Sequence, residues 1–460
     1  MARLVVIGGG AAGMSAASAA RRTDPGLEVV VCEGGGFAAY GMCGIPYYLG
    51  GIVAEPEDLV AYRPAVFREQ RGIDLRLHTR VTRIDPAAHR VEVVPAGTVT
   101  GTGAGTAQWL GYDVLVAATG ADPVRPPVPG LDHPRVFTVR SLDEAVGLRG
   151  LLAAGTVRRA VVVGAGYVGL ETAEALVTAG AEVEVVEAAP EVLGVVDAPV
   201  AALAQAEVER HARLRLNTRL EAVQAGPAGL AVLAGGARIP ADLVVVATGV
   251  RPAARLLTEA GAASLPDGSV CVDREMRTSL PGVFAAGDAV ALPHLVLGRP
   301  AWLPLGPAAN KTGRVAGTVA AGGRASFGGV VGTAVVKVFG LEVARTGLGL
   351  GEARAAGLDA VATDVTSRSR AKYYPGGAPL HVRLVHAPGG RLLGGQLAGA
   401  EGAAKRVDVL ATALHAGFTV TDLAALDLSY APPFAPVYDP VLAAANQAVR
   451  ELALTPGGTS

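Results

Sequence analysis

The sequence predicts an α/β protein made of two like strand–turn–helix–strand units followed by a smaller α+β domain. Three observations carry this. A glycine-rich turn between a β-branched run and an Ala-rich run occurs twice, far apart in the chain. The texture changes after about residue 325, where the paired units end. Gly, Ala and Val are abundant and aromatics make up only 4%, which suits closely packed strands and helices in layers. Half of the 460 residues are hydrophobic, enough for several cores.

The elements follow in order. Residues 4–7 read as a strand, 11–22 as a helix and 28–31 as a strand ending at Cys32 and Glu33. The pattern returns as a strand at 160–163, a turn at 164–169, a helix at 170–179 and a strand at 182–186 ending at Glu187. Strands at 113–118 and 242–247 run into Thr119-Gly120 and Thr248-Gly249, each as if closing one unit. Pro123, Pro126, Pro127 and Pro129 mark a crossover, and residues 95–105 read as a hairpin tip. Later, 330–339 and 380–385 read as strands and 403–416 as a helix. The domains expected are 1–120 with 250–322, then 121–249, then 323–455.

Composition excludes several roles. The formal net charge is −1, with neither a basic run nor an acidic tail, so nucleic acid and anionic membranes are not expected partners. Residues 4–20 are apolar and follow Arg3, but glycines interrupt them and Arg21-Arg22 stands where a signal peptide would be cleaved. No other run has the roughly 18 apolar residues of a membrane helix. Cys32, Cys43 and Cys271 show no CxxC or zinc spacing, so no metal is expected and a reducing cytoplasm fits.

Gly8-Gly9-Gly10-Ala11-Ala12-Gly13 is a GxGxxG fingerprint. Gly8 permits the tight turn, Gly10 the approach of a pyrophosphate and Gly13 close helix–strand packing, with Ala12 in the same loop. The helix N-terminus then presents N–H groups to phosphate, and Glu33 stands where a ribose hydroxyl would be met. Gly164, Gly166, Tyr167, Val168 and Gly169, with Glu187 as the acid, repeat the arrangement. Two fingerprints argue for two dinucleotides, most simply one passing electrons to the other. Ala188 and Ala189 follow Glu187 where arginines would pair a 2′-phosphate, so NADH is expected over NADPH. A third motif ends at Gly287-Asp288; Asp288 either meets the polyol part of a flavin or merely caps a helix.

Cys43 lies in Tyr40-Gly41-Met42-Cys43-Gly44-Ile45-Pro46-Tyr47-Tyr48. Pro46 suits a first helical turn, which puts Cys43 at a helix N-terminus and predicts a lowered thiol pKa. The bland alternative is a small buried apolar residue. That alternative is preferred for Cys32, in a core strand, and for Cys271, which lacks a motif.

These residues resemble the pyridine nucleotide-disulfide oxidoreductases along essentially the whole chain. The resemblance rests on both fingerprints, the two Ala-Thr-Gly strand ends and Gly-Val-Phe-Ala-Ala-Gly-Asp at 282–288. It implies a glutathione reductase-like fold: an FAD domain using Thr119, Gly120, Gly287 and Asp288, an NAD(P)H domain using Gly249, and a C-terminal dimerisation domain. Ala38 stands five residues before Cys43, so the CxxxxC of dithiol members is absent. The chain is similar instead to the single-cysteine branch of coenzyme A-disulfide reductases, persulfide and polysulfide reductases, NADH oxidases and NADH peroxidases. Cys-Gly-Ile-Pro-Tyr-Tyr resembles the first two groups, and the loop histidine usual in oxidases and peroxidases is missing. Tyr373-Tyr374-Pro-Gly and the 428–434 run resemble the dimerisation signatures of coenzyme A-disulfide reductases. The resemblance implies a homodimer in which Tyr430, joined by Tyr373 or Tyr374, faces the partner's cysteine. The alternative is that these tyrosines only pack the interface. Arg22, Asn310 and Lys311 are candidate substrate contacts. Ala39 and Met42 replace the Ser and Asn that often precede the cysteine, so coenzyme A as substrate or Cys43 adduct stays open. The implied activity is NAD(P)H-dependent reduction of a small-thiol disulfide or persulfide. An oxidase or peroxidase with a Cys43 sulfenic acid, and an NADH-responsive binding or signalling flavoprotein, remain alternatives.

Overall fold

A computed structural model describes residues 1–95, 106–226 and 229–454. The expected 95–105 tip therefore lies almost wholly outside the described residues. Its flanking strands Arg90–Pro95 and Gln108–Gly111 do pair antiparallel.

Each fingerprint sits in a five-stranded parallel sheet. The first sheet runs Val283–Ala285, Val114–Ala117, Arg3–Ile7, Glu28–Cys32, Ile73–Arg76. The second runs Arg213–Arg215, Glu182–Val186, Arg159–Val163, Leu243–Val246, Val136–Phe137. Their near-continuous Val, Leu and Ala runs are buried on both faces, as parallel strands require. The first helix, Ala11–Thr23, lies against Gly306–Ala320. That contact uses glycines one turn apart. A Cβ on Gly313 would stand 2.1 Å from the Ala12 carbonyl, and one on Gly317 2.0 Å from that of Ala16.

The two Thr-Gly strand ends do more than close the units. The segments after them, Ala121–Pro123 and Val250–Pro252, pair antiparallel as a two-stranded ribbon between the sheets. Two boundaries differ from expectation by more than one residue. The second fingerprint helix spans Tyr167–Thr178 and starts three residues early, because Gly166 is its extended N-cap. The strand expected at 330–339 is Ala334–Val338, since Val330 bridges His294 and Gly332 turns at φ +72°.

The C-terminal region forms a five-stranded antiparallel sheet, ordered Ala334–Val338, Leu341–Gly347, Leu392–Gly399, Pro379–His386, Val361–Arg368. Helices Ala403–Ala416 and Pro440–Leu454 pack on it around their own core. Among the described residues, no helix is long and apolar enough to cross a membrane.

Candidate active site

Both fingerprints have the geometry that a dinucleotide needs. Gly8 and Gly164 adopt φ +98° and +106°, and a Cβ on them would stand 2.3 Å from the carbonyls of Ala118 and Ala247, which follow strands Val114–Ala117 and Leu243–Val246. A Cβ on Gly13 or Gly169 would meet the carbonyl of Gly8 or Gly164 at 1.9 and 2.0 Å. Gly10 and Gly166 face open space instead, where a phosphate can approach. The acids match as well. Glu33 accepts from Gly9 N at 2.6 Å and Gly35 N at 2.7 Å; Glu187 accepts from Ala165 N at 2.7 Å and Ala189 N at 2.8 Å. Each carboxylate keeps lone pairs for a ribose hydroxyl.

Around the first fingerprint, Gly287 turns at φ +78° against Ala12, its N–H donating to Thr312 Oγ1 at 3.1 Å. Asp288 follows on a short turn, its carboxyl pushed up by burial. Thr119 Oγ1 is buried with no hydrogen-bond partner among the described residues, and Gly120 turns at φ +76°. These residues fit a flavin dinucleotide: open backbone for phosphates, an orphan hydroxyl and a carboxyl beside the same turn. In the second unit Gly249 turns at φ +101°, Val168 is exposed, and burial pushes Tyr167 up to about 12.

Cys43 is exposed, in a single turn at Met42–Gly44 that leads into the helix Ile45–Leu49. Pro46 is in that helix's first turn, as expected. The loop is anchored by Ala39 N donating to Gly9 O at 2.8 Å and Gly41 N to Leu59 O at 2.8 Å. The helix buries Ile45, Tyr48 and Leu49 in the core of the second unit, against the fingerprint helix. Cys43 is thereby held where the two nucleotide units meet.

The thiol's pKa runs opposite to expectation. Desolvation raises it first, then the carboxylates of Glu171 and Asp288; its own backbone N–H and Arg140 only partly oppose them. A helix of five residues has little dipole to set against two carboxylates.

Two groups at this junction lie outside the sequence expectations. Arg140 donates to Met42 Sδ and, at 2.8 Å, to Ala121 O, and lies 3.9 Å from Asp288. It ties the cysteine loop to both flavin-side elements. Glu171, on the second fingerprint helix, is pushed up to about 7 by burial and Glu174. Glu174 itself pairs with Lys337. The available signal was spacing: Glu171 is four residues after Tyr167, on the same helix face. A third group outside those expectations lies elsewhere: Arg71 stacks on Tyr62 at 4.3 Å and donates to Ser18 Oγ at 3.0 Å. Ser18 is one turn from Arg22 on the first helix.

Glu171 yields a pH prediction. Its folded pKa lies above its ordinary 4.5, so between that value and about 7 the folded chain keeps a proton the unfolded chain has lost. Stability falls as pH rises through this window, by on the order of 2–3 kcal/mol after solvent screening. Glu171→Gln is expected to remove that slope. Denaturant titrations of both holoenzymes from about pH 5 to about pH 8 check it, and parallel curves would refute it.

The remaining expected contacts are spread over the surface. Arg22 and Lys311 are exposed. Asn310 accepts from Ser15 Oγ at 2.8 Å across the helix pair. Tyr373 and Tyr430 share a hydrogen bond at 3.1 Å and both are exposed, with Tyr374 at the exposed margin. Within one subunit these tyrosines meet each other, while Glu171, Asp288 and Arg140 act on Cys43. Cys32 is buried and pushed up to about 11; Cys271 is half-buried.

A family model described as pyridine nucleotide-disulphide oxidoreductase matches residues 2–313, and that of its dimerisation domain matches 333–440. The chain is 37% identical over 446 residues to a CoA-dependent NAD(P)H sulfur oxidoreductase of Pyrococcus furiosus, covering 96% of this chain and 98% of that one. It is 33% identical over 452 residues to an NADH oxidase of Methanocaldococcus jannaschii, covering 98% and 99%. A solved NAD-dependent persulfide reductase from A. fulgidus has a TM-score of 0.92 and 39% identity, over 98% of this chain and 83% of that one.

Proposed function

Because the chain belongs to the pyridine nucleotide-disulphide oxidoreductase family and is an NAD(P)H-dependent flavoprotein of its disulfide and persulfide reductase type, we propose that it reduces a small-thiol disulfide or persulfide through Cys43, with NADH as the preferred reductant. The observation that carries this is the place of Cys43. Its exposed thiol sits in the joint field of Asp288 from the first unit and Glu171 from the second, with no second cysteine beside it. In this reading FAD occupies residues 1–120 and 250–322, and the nicotinamide nucleotide occupies 121–249. Bound FAD supplies the relay that takes a hydride from the nicotinamide and passes on its electron pair.

The polypeptide does the sulfur chemistry. The Cys43 thiolate attacks one sulfur of RS–SR′, forming a Cys43–S–S–R bond and expelling R′S⁻, which takes up a proton. The electron pair then cleaves the mixed disulfide, returning the Cys43 thiolate and releasing RSH after a second protonation. The sum is NADH + H⁺ + RSSR′ giving NAD⁺ + RSH + R′SH. Desolvation, then the carboxylates, hold the thiol pKa up, so Arg140 is the side-chain charge that favours the thiolate. Arg140→Leu is expected to raise the thiol pKa further, read as a shift of thiol alkylation to higher pH. An unchanged profile would remove Arg140 from this role.

We propose a homodimer in which Tyr430, hydrogen-bonded to Tyr373, reaches the other subunit's Cys43 and donates to the departing thiolate. Exposed Phe434, Val437 and Tyr438 beside it support a covered surface. Arg22, Asn310 and Lys311 would meet the substrate's polar end. Ala188 and Ala189 beside Glu187 support NADH.

A second reading, an oxidase cycling through a Cys43 sulfenic acid, is favoured by the 33% identity to an NADH oxidase. One acceptor panel separates them: coenzyme A disulfide, persulfides, polysulfide, glutathione disulfide and oxygen, each with NADH and NADPH. Faster turnover with a sulfur acceptor than with oxygen is expected. Faster oxygen uptake would overturn the first reading, and a roughly tenfold preference for NADPH in kcat/KM would overturn the choice of NADH.

A further inference from the structure

The C-terminal sheet carries a polar row that is buried except at its outer member, Asp364. Arg345, Gln396, Arg383 and Asp364 are direct cross-strand neighbours on four adjacent strands. Arg345 and Arg383 are only 9% and 7% exposed, and Gln396 is 1% exposed. Burying two guanidinium groups is costly unless they are paired and hydrogen-bonded, and much of that pairing comes from the nucleotide unit. Arg383 Nε donates to Asp197 Oδ2 at 2.8 Å, and its Nη1 to Asp364. Arg345 donates to Val195 O, and at 2.5 Å to Glu352 Oε2. Asp197 N donates to Gln396 Oε1 at 2.8 Å, and Leu350 N donates to the Asp197 carboxylate at 3.1 Å. Residues 195–197 are thus held from the C-terminal domain.

The other end of the same segment belongs to the second fingerprint. It leaves Glu187, its Ala189 N–H returns to that carboxylate, and Leu193 N donates to Ala165 O at 2.9 Å inside the glycine loop. Leu193 takes φ +48° to do so, a conformation that must be held by its surroundings. Tyr167 of the same loop feels the charges of Arg345 and Glu352.

We propose that Arg345 and Arg383 are positioning residues for the reductant: they fix residues 188–197, and through Leu193 the glycine loop, in the geometry that binds NAD(P)H. This rests on the reading that the second fingerprint holds the nicotinamide nucleotide. The C-terminal domain then completes the reductant site, a role separate from dimerisation.

The test uses the flavin-loaded enzyme with NADH as the varied substrate and ferricyanide as acceptor, so that Cys43 chemistry is bypassed. Arg383→Gln and Asp197→Asn are expected to raise KM for NADH roughly tenfold with kcat and flavin content little changed. Asp197→Asn keeps a side chain able to cap the following helix, so it decides the matter if Arg383→Gln fails to fold. Arg383→Lys restores part of the loss, because it keeps the charge without the fork. The double variant is expected to be no worse than the worse single one. Wild-type KM in either flavin-loaded variant would overturn the proposal. The underlying reading fails separately if Gly169→Val, which breaks the second fingerprint itself, still lets NADH reduce the flavin at the wild-type rate.

Discussion

Cys43→Ser is expected to abolish disulfide and persulfide reduction while FAD binding and NADH-dependent flavin reduction persist. A serine hydroxyl neither attacks a disulfide sulfur nor forms a bond that an electron pair can cleave, so the fall should be roughly 10⁴-fold or more. No other thiol can take over. Cys32 is buried in the first sheet and pushed up to about 11, and Cys271 is half-buried on the short strand Val270–Cys271. The flavin and nucleotide residues are untouched, so stopped-flow flavin bleaching by NADH should match the wild type. The alternative of a mainly binding or signalling flavoprotein makes a different prediction, since there the substitution changes little beyond the thiol count. Disulfide turnover surviving above roughly one hundredth of wild type would exclude a single-cysteine mechanism.

Gly13→Val should have the second large effect, the loss of the flavin. A Cβ at Gly13 would lie 1.9 Å from the Gly8 carbonyl, backbone against backbone in one loop. No rotamer relieves that overlap, so helix and strand must separate, at a cost of roughly 3 kcal/mol or more. The purified protein is expected to be colourless and to melt several degrees lower. Gly10→Ala makes the informative contrast. A Cβ there meets nothing within 4 Å, so the chain should fold normally and lose flavin affinity alone, because the methyl fills the approach to the pyrophosphate. Flavin absorbance per subunit, measured beside thermal unfolding, separates the two. A yellow, stable Gly13→Val would contradict the loop geometry.

The parallel sheets and fingerprints were legible because their signals are local. Val-rich runs mark buried strands, and glycines fall where φ is positive or a Cβ would strike a carbonyl. Helix 403–416 and strand 182–186 are located to the residue. What was hidden depends on long-range placement. Arg140 is an unremarkable arginine before a helix until the fold brings it to Met42 and Asp288. Arg345 and Arg383 form a row only once four strands are in register. The Cys43 pKa is hidden for the same reason: Pro46 announces a helix, but the burial of the thiol and the charges of Glu171 and Asp288 come from distant segments. Tyr373 and Tyr430, 57 residues apart, share a hydrogen bond that neither motif announces by itself. Their approach to a cysteine belongs to the proposed homodimer, where it would take the second copy of the chain.

The central claim is that Cys43 alone carries the redox sulfur chemistry and that its partner sulfur comes from substrate. Anaerobic NADH titration of substrate-oxidised enzyme tests it most directly, with released thiol counted and Cys43→Ser run alongside. The account predicts roughly two NADH per flavin and roughly one small thiol released from the wild type, against roughly one NADH and no thiol from the variant. Equal NADH uptake by both proteins, with no thiol released, would contradict it.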